Sequence, residues 1–177
     1  MAWSIWGRKI APSLDIPDDI PHRLLTEINR YRASWKIQDL ELDQKLCDQA
    51  QYHSVEQAKM GQCSHFGSYG ANPLTRAYIA GYTNPKIICE NIAEGYATPI
   101  AVVKAWYNSA PHRRNLLERS CTKIGIGIHA IGATRYWTLI MISEPNDTTI
   151  ALLSGPLYRS RVSNFHRHLI SSGPKST

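Results

Sequence analysis

No run in this chain approaches the roughly 20 apolar residues that a membrane-crossing helix needs, so a helical span is not expected. Met1 to Pro12 also lack the uninterrupted apolar core of a secretory signal peptide. Cysteine is sparse, at four residues, and no two form a Cys-x-x-Cys pair, which argues against a zinc ribbon. No internal repeat is visible, and no nucleic-acid module accompanies the basic residues, so nucleic acid is not an expected partner. What remains is a chain of 177 residues, long enough for one domain with a sizeable core and short for two.

The formal charge is +6, and from Pro145 onward Asp147 stands against Arg159, Arg161, Arg167 and Lys175, so half of the excess lies in the tail. Such a tail is either solvated or docked on an acidic partner. Gly155-Pro156 and Gly173-Pro174 break it further. The expected division is an N-terminal arm over residues 1–20, a domain over 21–144 and a basic tail over 145–177.

Within the domain, helices come first and strands last. Pro21 suits the first turn of a helix carrying Leu24, Leu25, Ile28 and Tyr31 at helical spacing. Asp43 is a good N-cap for a second helix and Gly61 a good stop. Asn72-Pro73 opens a third helix ending by Gly81, Thr98-Pro99 opens a fourth with Val102, Val103 and Trp106, and Pro111 begins a short one. Lys123 to Ala130 alternates isoleucine with glycine and reads as a strand, with room left for something large against its glycine face. Gly132-Ala133-Thr134 is a hairpin turn into a second strand, Arg135 to Ser143. Lys86 to Cys89 is short enough to be a third. The expected class is α+β, with helices on both sides of a small, mainly antiparallel sheet.

Four fragments stand in a telling order: Ser64-His65-Phe66, then Glu90-Asn91-Ile92-Ala93-Glu94-Gly95, then Trp106-Tyr107-Asn108-Ser109-Ala110-Pro111-His112-Arg113-Arg114-Asn115, then Gly125-Ile126-Gly127 with Tyr136-Trp137-Thr138. Together they resemble the CAP superfamily (cysteine-rich secretory proteins, antigen 5, pathogenesis-related proteins), in its bacterial-type, SCP-like branch. The resemblance spans roughly Leu24 to Ser143 and implies a three-layer α-β-α sandwich. It also implies a cleft built by His65, Glu90 and His112, with Ser109 where many eukaryotic relatives carry a second Glu, and with Asn91 and Arg113 bracing rather than reacting.

Two imidazoles and a carboxylate are ligands that a divalent metal such as zinc accepts, leaving a place for water or substrate. The competing reading has the three side chains hydrogen-bonding to one another and tying helices to the sheet. Ser64 and Ser109 lie close in sequence to the two histidines, but neither sits in a recognisable nucleophile turn. The resemblance therefore implies a binding or accessory module rather than an enzyme, engaging cell-wall glycan, lipid or a protein neighbour. A metal-assisted hydrolase and a secreted lipid-binding effector are the rivals.

Relatives are mostly exported, so the expected location is extracellular or virion-associated, as a structural component of a phage or virus particle would be. Trp3 and Trp6 read either as anchors inserted into a neighbour in such an assembly or as a fold-back onto the domain. The four cysteines allow three pairings. The resemblance brings the elements of Cys63 and Cys89 together, so Cys63–Cys89 is the expected bridge, with Cys47–Cys121 beside it; buried free thiols are the alternative. His53, on the second helix, reads as a satisfied core histidine, and His166 and His168 as part of a solvated tail.

Overall fold

The computed structural model describes residues 17 and 19–143, so Trp3, Trp6, His166, His168 and the basic tail lie outside the described residues. Five α-helices and four strands are present among them, in the order α1 (Ile20–Ser34), β1 (Glu41–Leu42), α2 (Gln44–Met60), α3 (Pro73–Ile79), β2 (Ile88–Glu94), α4 (Pro99–Asn108), α5 (Ala110–Leu116), β3 (Lys123–Ile131) and β4 (Thr134–Ile142). The helix starts are those the capping residues dictate. Asp43 accepts from the Leu46 N–H, Asn72 from Thr75 and Thr98 from Ala101, each supplying an acceptor to an otherwise orphaned helix donor. Gly61 closes α2 at φ 68°, a left-handed conformation that glycine adopts without a Cβ penalty.

The strands form one sheet in the order β1-β3-β4-β2, antiparallel except for β1, which pairs with β3 in parallel. Helices cover both faces, giving a three-layer α-β-α sandwich. Ile124, Ile126 and Ile128 of β3 and Trp137, Leu139 and Met141 of β4 join Leu24 and Ile28 of α1, Val102, Val103 and Trp106 of α4 and Leu116 of α5 in the larger core. On the other face a smaller core joins Ile140 and Ile142 to Leu46 and Ala50 of α2. The glycines of β3 explain the difference. A Cβ on Gly125 would stand 2.2 Å from the Leu46 carbonyl carbon, and one on Gly127 would stand 2.2 Å from that of Ala50. The large object that the glycines admit is therefore the backbone of α2 itself.

Both edges of the sheet are finished by side chains. Beyond the two-residue β1, the N–H of Ile126 donates to Cys47 Sγ (3.4 Å) and that of Ile128 to Gln51 Oε1 (2.9 Å), both on α2. On the opposite edge the carbonyls of Glu90 and Ile92, alternate residues of β2, accept from Asn115 Nδ2 (3.0 Å) and Trp106 Nε1 (3.1 Å). α1 is held by a cation as well as by packing. Arg32 is fully buried and donates to the carbonyls of Gln38, Leu116, Glu118 and Cys121, collecting the C-terminal end of α5 and the approach to β3 around one guanidinium.

Three expectations are corrected. The strand expected over Lys86–Cys89 runs Ile88–Glu94, through the polar pair Glu90-Asn91, because β4 supplies a pairing partner at every position. β1 was not expected at all, since two residues carry no readable period. The Cys63–Cys89 and Cys47–Cys121 bridges are absent, and all four thiols are free. Side chains alternate along a strand, so Cys89 faces the α1/α5 core while its neighbour Glu90 faces α3. Cys63 lies near Glu94 and Tyr136, toward the opposite end of β2 from Cys89. Cys47 sits on α2, on the other side of the sheet from the core that holds Cys121.

Candidate functional site

The site wraps around the outer edge of β2. His65 comes from the loop after α2, Glu90 from β2 and His112 from the first turns of α5. The His65 loop is shaped by polar side chains that α2 buries. His53 Nε2 meets the Ser64 carbonyl at 2.8 Å, Gln57 Oε1 accepts from the Ser64 N–H (3.3 Å), and Glu56 Oε1 accepts from the Ser68 N–H (2.9 Å). His53 and Glu56 also pair with each other at 3.3 Å, so the core histidine is fully engaged. Gly67 makes this seat possible, because a Cβ there would stand 2.3 Å from a Glu56 carboxylate oxygen.

Glu90 is the hub. Its side chain is 2% exposed, and His65 Nδ1–H donates to Oε1 at 2.7 Å. Its other oxygen receives Arg76 Nη2 in a short contact between two buried groups. Arg76, on α3, also donates to the carbonyls of Ala71 (2.7 Å) and His65 (3.3 Å), so one guanidinium fixes both the carboxylate and the histidine loop. Nothing in the sequence pointed to Arg76, whose place one turn after the Asn72-Pro73 helix start puts it on the face toward β2.

His112 stands beside His65 but is held differently. Its Nδ1 lies 3.0 Å from Ser109 Oγ, and its carbonyl accepts from Asn91 Nδ2 at 3.1 Å. Asn91 Oδ1 accepts in turn from Asn115 Nδ2 (2.9 Å). Arg113 donates to the Tyr107 carbonyl (3.0 Å) and lies over the Tyr107 ring, which stacks on Tyr31 at 4.0 Å. Asn91 thus joins β2 to α5, and Arg113 joins α5 to the end of α4.

The two imidazoles are poised in opposite directions. The hydrogen bond to Glu90 raises the pKa of His65, outweighing burial and the Arg76 charge that oppose it. Burial first, and the neighbouring His65 second, lower that of His112. Their surroundings therefore push the two proton affinities apart.

The cysteine-rich secretory protein (CAP) family model matches residues 25–141. The chain belongs to the CAP family. Its CAP domain is 33% identical over 116 residues to the uncharacterized protein YkwD of Bacillus subtilis, a match covering 66% of this chain and 44% of that protein. Among solved structures, an extracellular SCP-domain protein of Bacillus anthracis matches at TM-score 0.64 and 24% identity, covering 73% of this chain and 44% of that one. An outer surface protein of Borrelia burgdorferi matches at TM-score 0.65 and 20% identity, over 75% of this chain and 98% of its own. The CAP domain therefore spans less than half the length of the Bacillus proteins it resembles.

The expected metal set does not fit this CAP cleft well. A ligating carboxylate must turn a lone pair to the ion, yet both oxygens of Glu90 are engaged, one by Arg76 and the other by His65. Among the described residues no three His, Cys, Asp or Glu side chains come together as a metal would require. No described helix is long and apolar enough to cross a membrane.

Proposed function

We propose that this chain is a CAP-domain binding or accessory module acting outside the host cytoplasm, a component of a larger assembly such as a phage or virus particle. It engages a cell-surface component through the face that carries His65 and His112. One observation supports this over hydrolysis: the Glu90 carboxylate of the cleft is buried and bonded to both Arg76 and His65. A general base must be free to take a proton, and Glu90 is already bonded through both oxygens.

The rim favours cell-wall glycan as the component engaged. Phe66 and Tyr69 are exposed in the loop that carries His65, and Tyr52 is exposed on α2. Tyr69 is held at φ 57°, a conformation costly for an aromatic residue and one that places the ring in solvent. Aromatic faces next to hydrogen-bond donors suit a sugar ring.

The full chain is incubated with purified peptidoglycan sacculi or with lipid vesicles and sedimented, and each supernatant is assayed for released fragments with and without zinc. The expected result is retention on sacculi without fragments, weakened several-fold by Tyr69→Ala. Retention on vesicles alone would favour a lipid-binding effector. A second reading rests on the 3.0 Å pair of Ser109 Oγ and His112 Nδ1, in which neutral His112 activates the hydroxyl. Fragment release abolished by Ser109→Ala would replace the binding module with that hydrolase.

A further inference from the structure

α2 buries a histidine and a glutamate that the cleft itself does not use. His53 is 0% exposed and Glu56 7%, and the loop carrying His65, Phe66 and Tyr69 rests on them. Their contacts fix a proton count. A carbonyl can only accept, so His53 Nε2, 2.8 Å from the Ser64 carbonyl, carries a hydrogen. Nδ1 lies 3.3 Å from Glu56 Oε2, and a second hydrogen must stand between these two atoms, since a bare ring nitrogen and a carboxylate oxygen would meet lone pair to lone pair. Burial would raise the Glu56 carboxyl, but the bonds from Ser68 and His53 outweigh it and hold it below its ordinary 4.5. The second hydrogen therefore belongs to the imidazole. Gly67 closes over the pair: a Cβ there would stand 2.3 Å from Glu56 Oε2 and 3.3 Å from His53 Nδ1, so the loop backbone packs directly upon it.

We propose that the proton held between His53 and Glu56 is a pH-sensitive clamp on residues 64–68: with it the loop is pinned to α2, and without it the loop lifts from its seat. When the proton leaves at rising pH, two lone pairs face each other in a site closed to solvent, and the cheapest relief is to move the loop. The acid limb has the opposite origin. Glu56, with a lowered folded value, contributes stability that is complete above 4.5 and is lost as pH falls through that lowered value, when the carboxyl hydrogen would face the imidazolium N–H. The clamp holds between these two steps.

Other titratable groups surround the pair without replacing its bond. Burial first, then Glu56 and the loop's Tyr69, raise the Tyr52 phenol on α2. β3 turns His129 to the α2 face by alternation with Gly125 and Gly127. Arg76 of α3 is committed to Glu90 and to the carbonyls of Ala71 and His65. Cys63 lies toward Glu94, and β4 offers the uncharged Thr138, whose hydroxyl accepts from Ser54 and Gln57. The clamp acts whatever the cleft binds.

The full chain, isotope-labelled in nitrogen, is followed by NMR from about pH 5 to about pH 9, reading the His53 ring nitrogens and the amide protection of Ser64 and Ser68. The expected result is a ring protonated at both nitrogens while the loop is held. As the Nδ1 proton leaves, the two amides should lose protection roughly tenfold after correction for the intrinsic exchange rate. Glu56→Gln is the matching variant. Its amide oxygen can take the Ser68 N–H and its amide N–H can donate to a bare Nδ1, so the loop should stay protected across the range. One ring hydrogen on His53 throughout, amide protection that does not follow the ring, or the same alkaline loss in Glu56→Gln would each overturn the clamp. If Glu56→Gln does not fold, the ring and amide readings of the unaltered chain decide alone.

Discussion

At Glu90 an arginine and a histidine share one carboxylate, and this shapes how His65 titrates. His65 gains its proton affinity first from the Glu90 hydrogen bond, so Glu90→Gln should bring its pKa down, as read by NMR of the imidazole protons. His65→Ala should raise the pKa of His112 only partly, because burial, the larger cause of its depression, remains. The signs for stability differ. His65, with a raised folded pKa, contributes stability that is complete below its ordinary value of 6.5 and is lost as pH rises through the folded value. His112, with a lowered one, favours the folded state fully above 6.5, and that contribution is lost as pH falls through its folded value. Denaturant melts of His65→Ala and wild type should therefore converge at alkaline pH. His65 is half exposed, so solvent screens the effect and a small amplitude is expected.

At the scale of elements, two contacts hold the layers in register. Gly127 admits the α2 backbone onto β3, and Gly127→Val should cost about 3 kcal/mol or more in chemical denaturation, because a helix backbone cannot yield as a side-chain tip can. Arg32→Met should cost about 3 kcal/mol, since it strands the carbonyls of Leu116 and Cys121 in the core with no replacement donor. A loss below about 1 kcal/mol in either variant would show that the layers adjust around the site. The helix boundaries were legible in the sequence because each was set locally: Asp43, Asn72 and Thr98 cap the three helices they precede. β2 was less legible. Its polar residues Glu90 and Asn91 serve the cleft and hide the strand from any apolar period, and only pairing with β4 reveals it.

At the scale of the molecule, the order of His65, Glu90 and His112 was readable because three separated fragments each carried a local signature, and the sandwich folds them around one strand edge. Arg76 and the buried polar face of α2 were not readable. A buried arginine and a buried Glu56 look in sequence like the solvated charges of any helix, and only tertiary packing distinguishes them. The side that Cys89 takes was hidden for a related reason: adjacent strand residues point to opposite faces, so its nearness to Glu90 in sequence implied nothing about where its thiol lies.

The finished edges of the sheet also limit how this protein can be built into anything larger. Strand addition needs a row of unspent backbone groups, and along β2 and the outer half of β3 side chains already occupy the acceptors and donors an incoming strand would use. These four groups are spent, so an added strand would find only part of its ladder on either edge. The same finish makes these edges poor templates for the growth of one copy upon another.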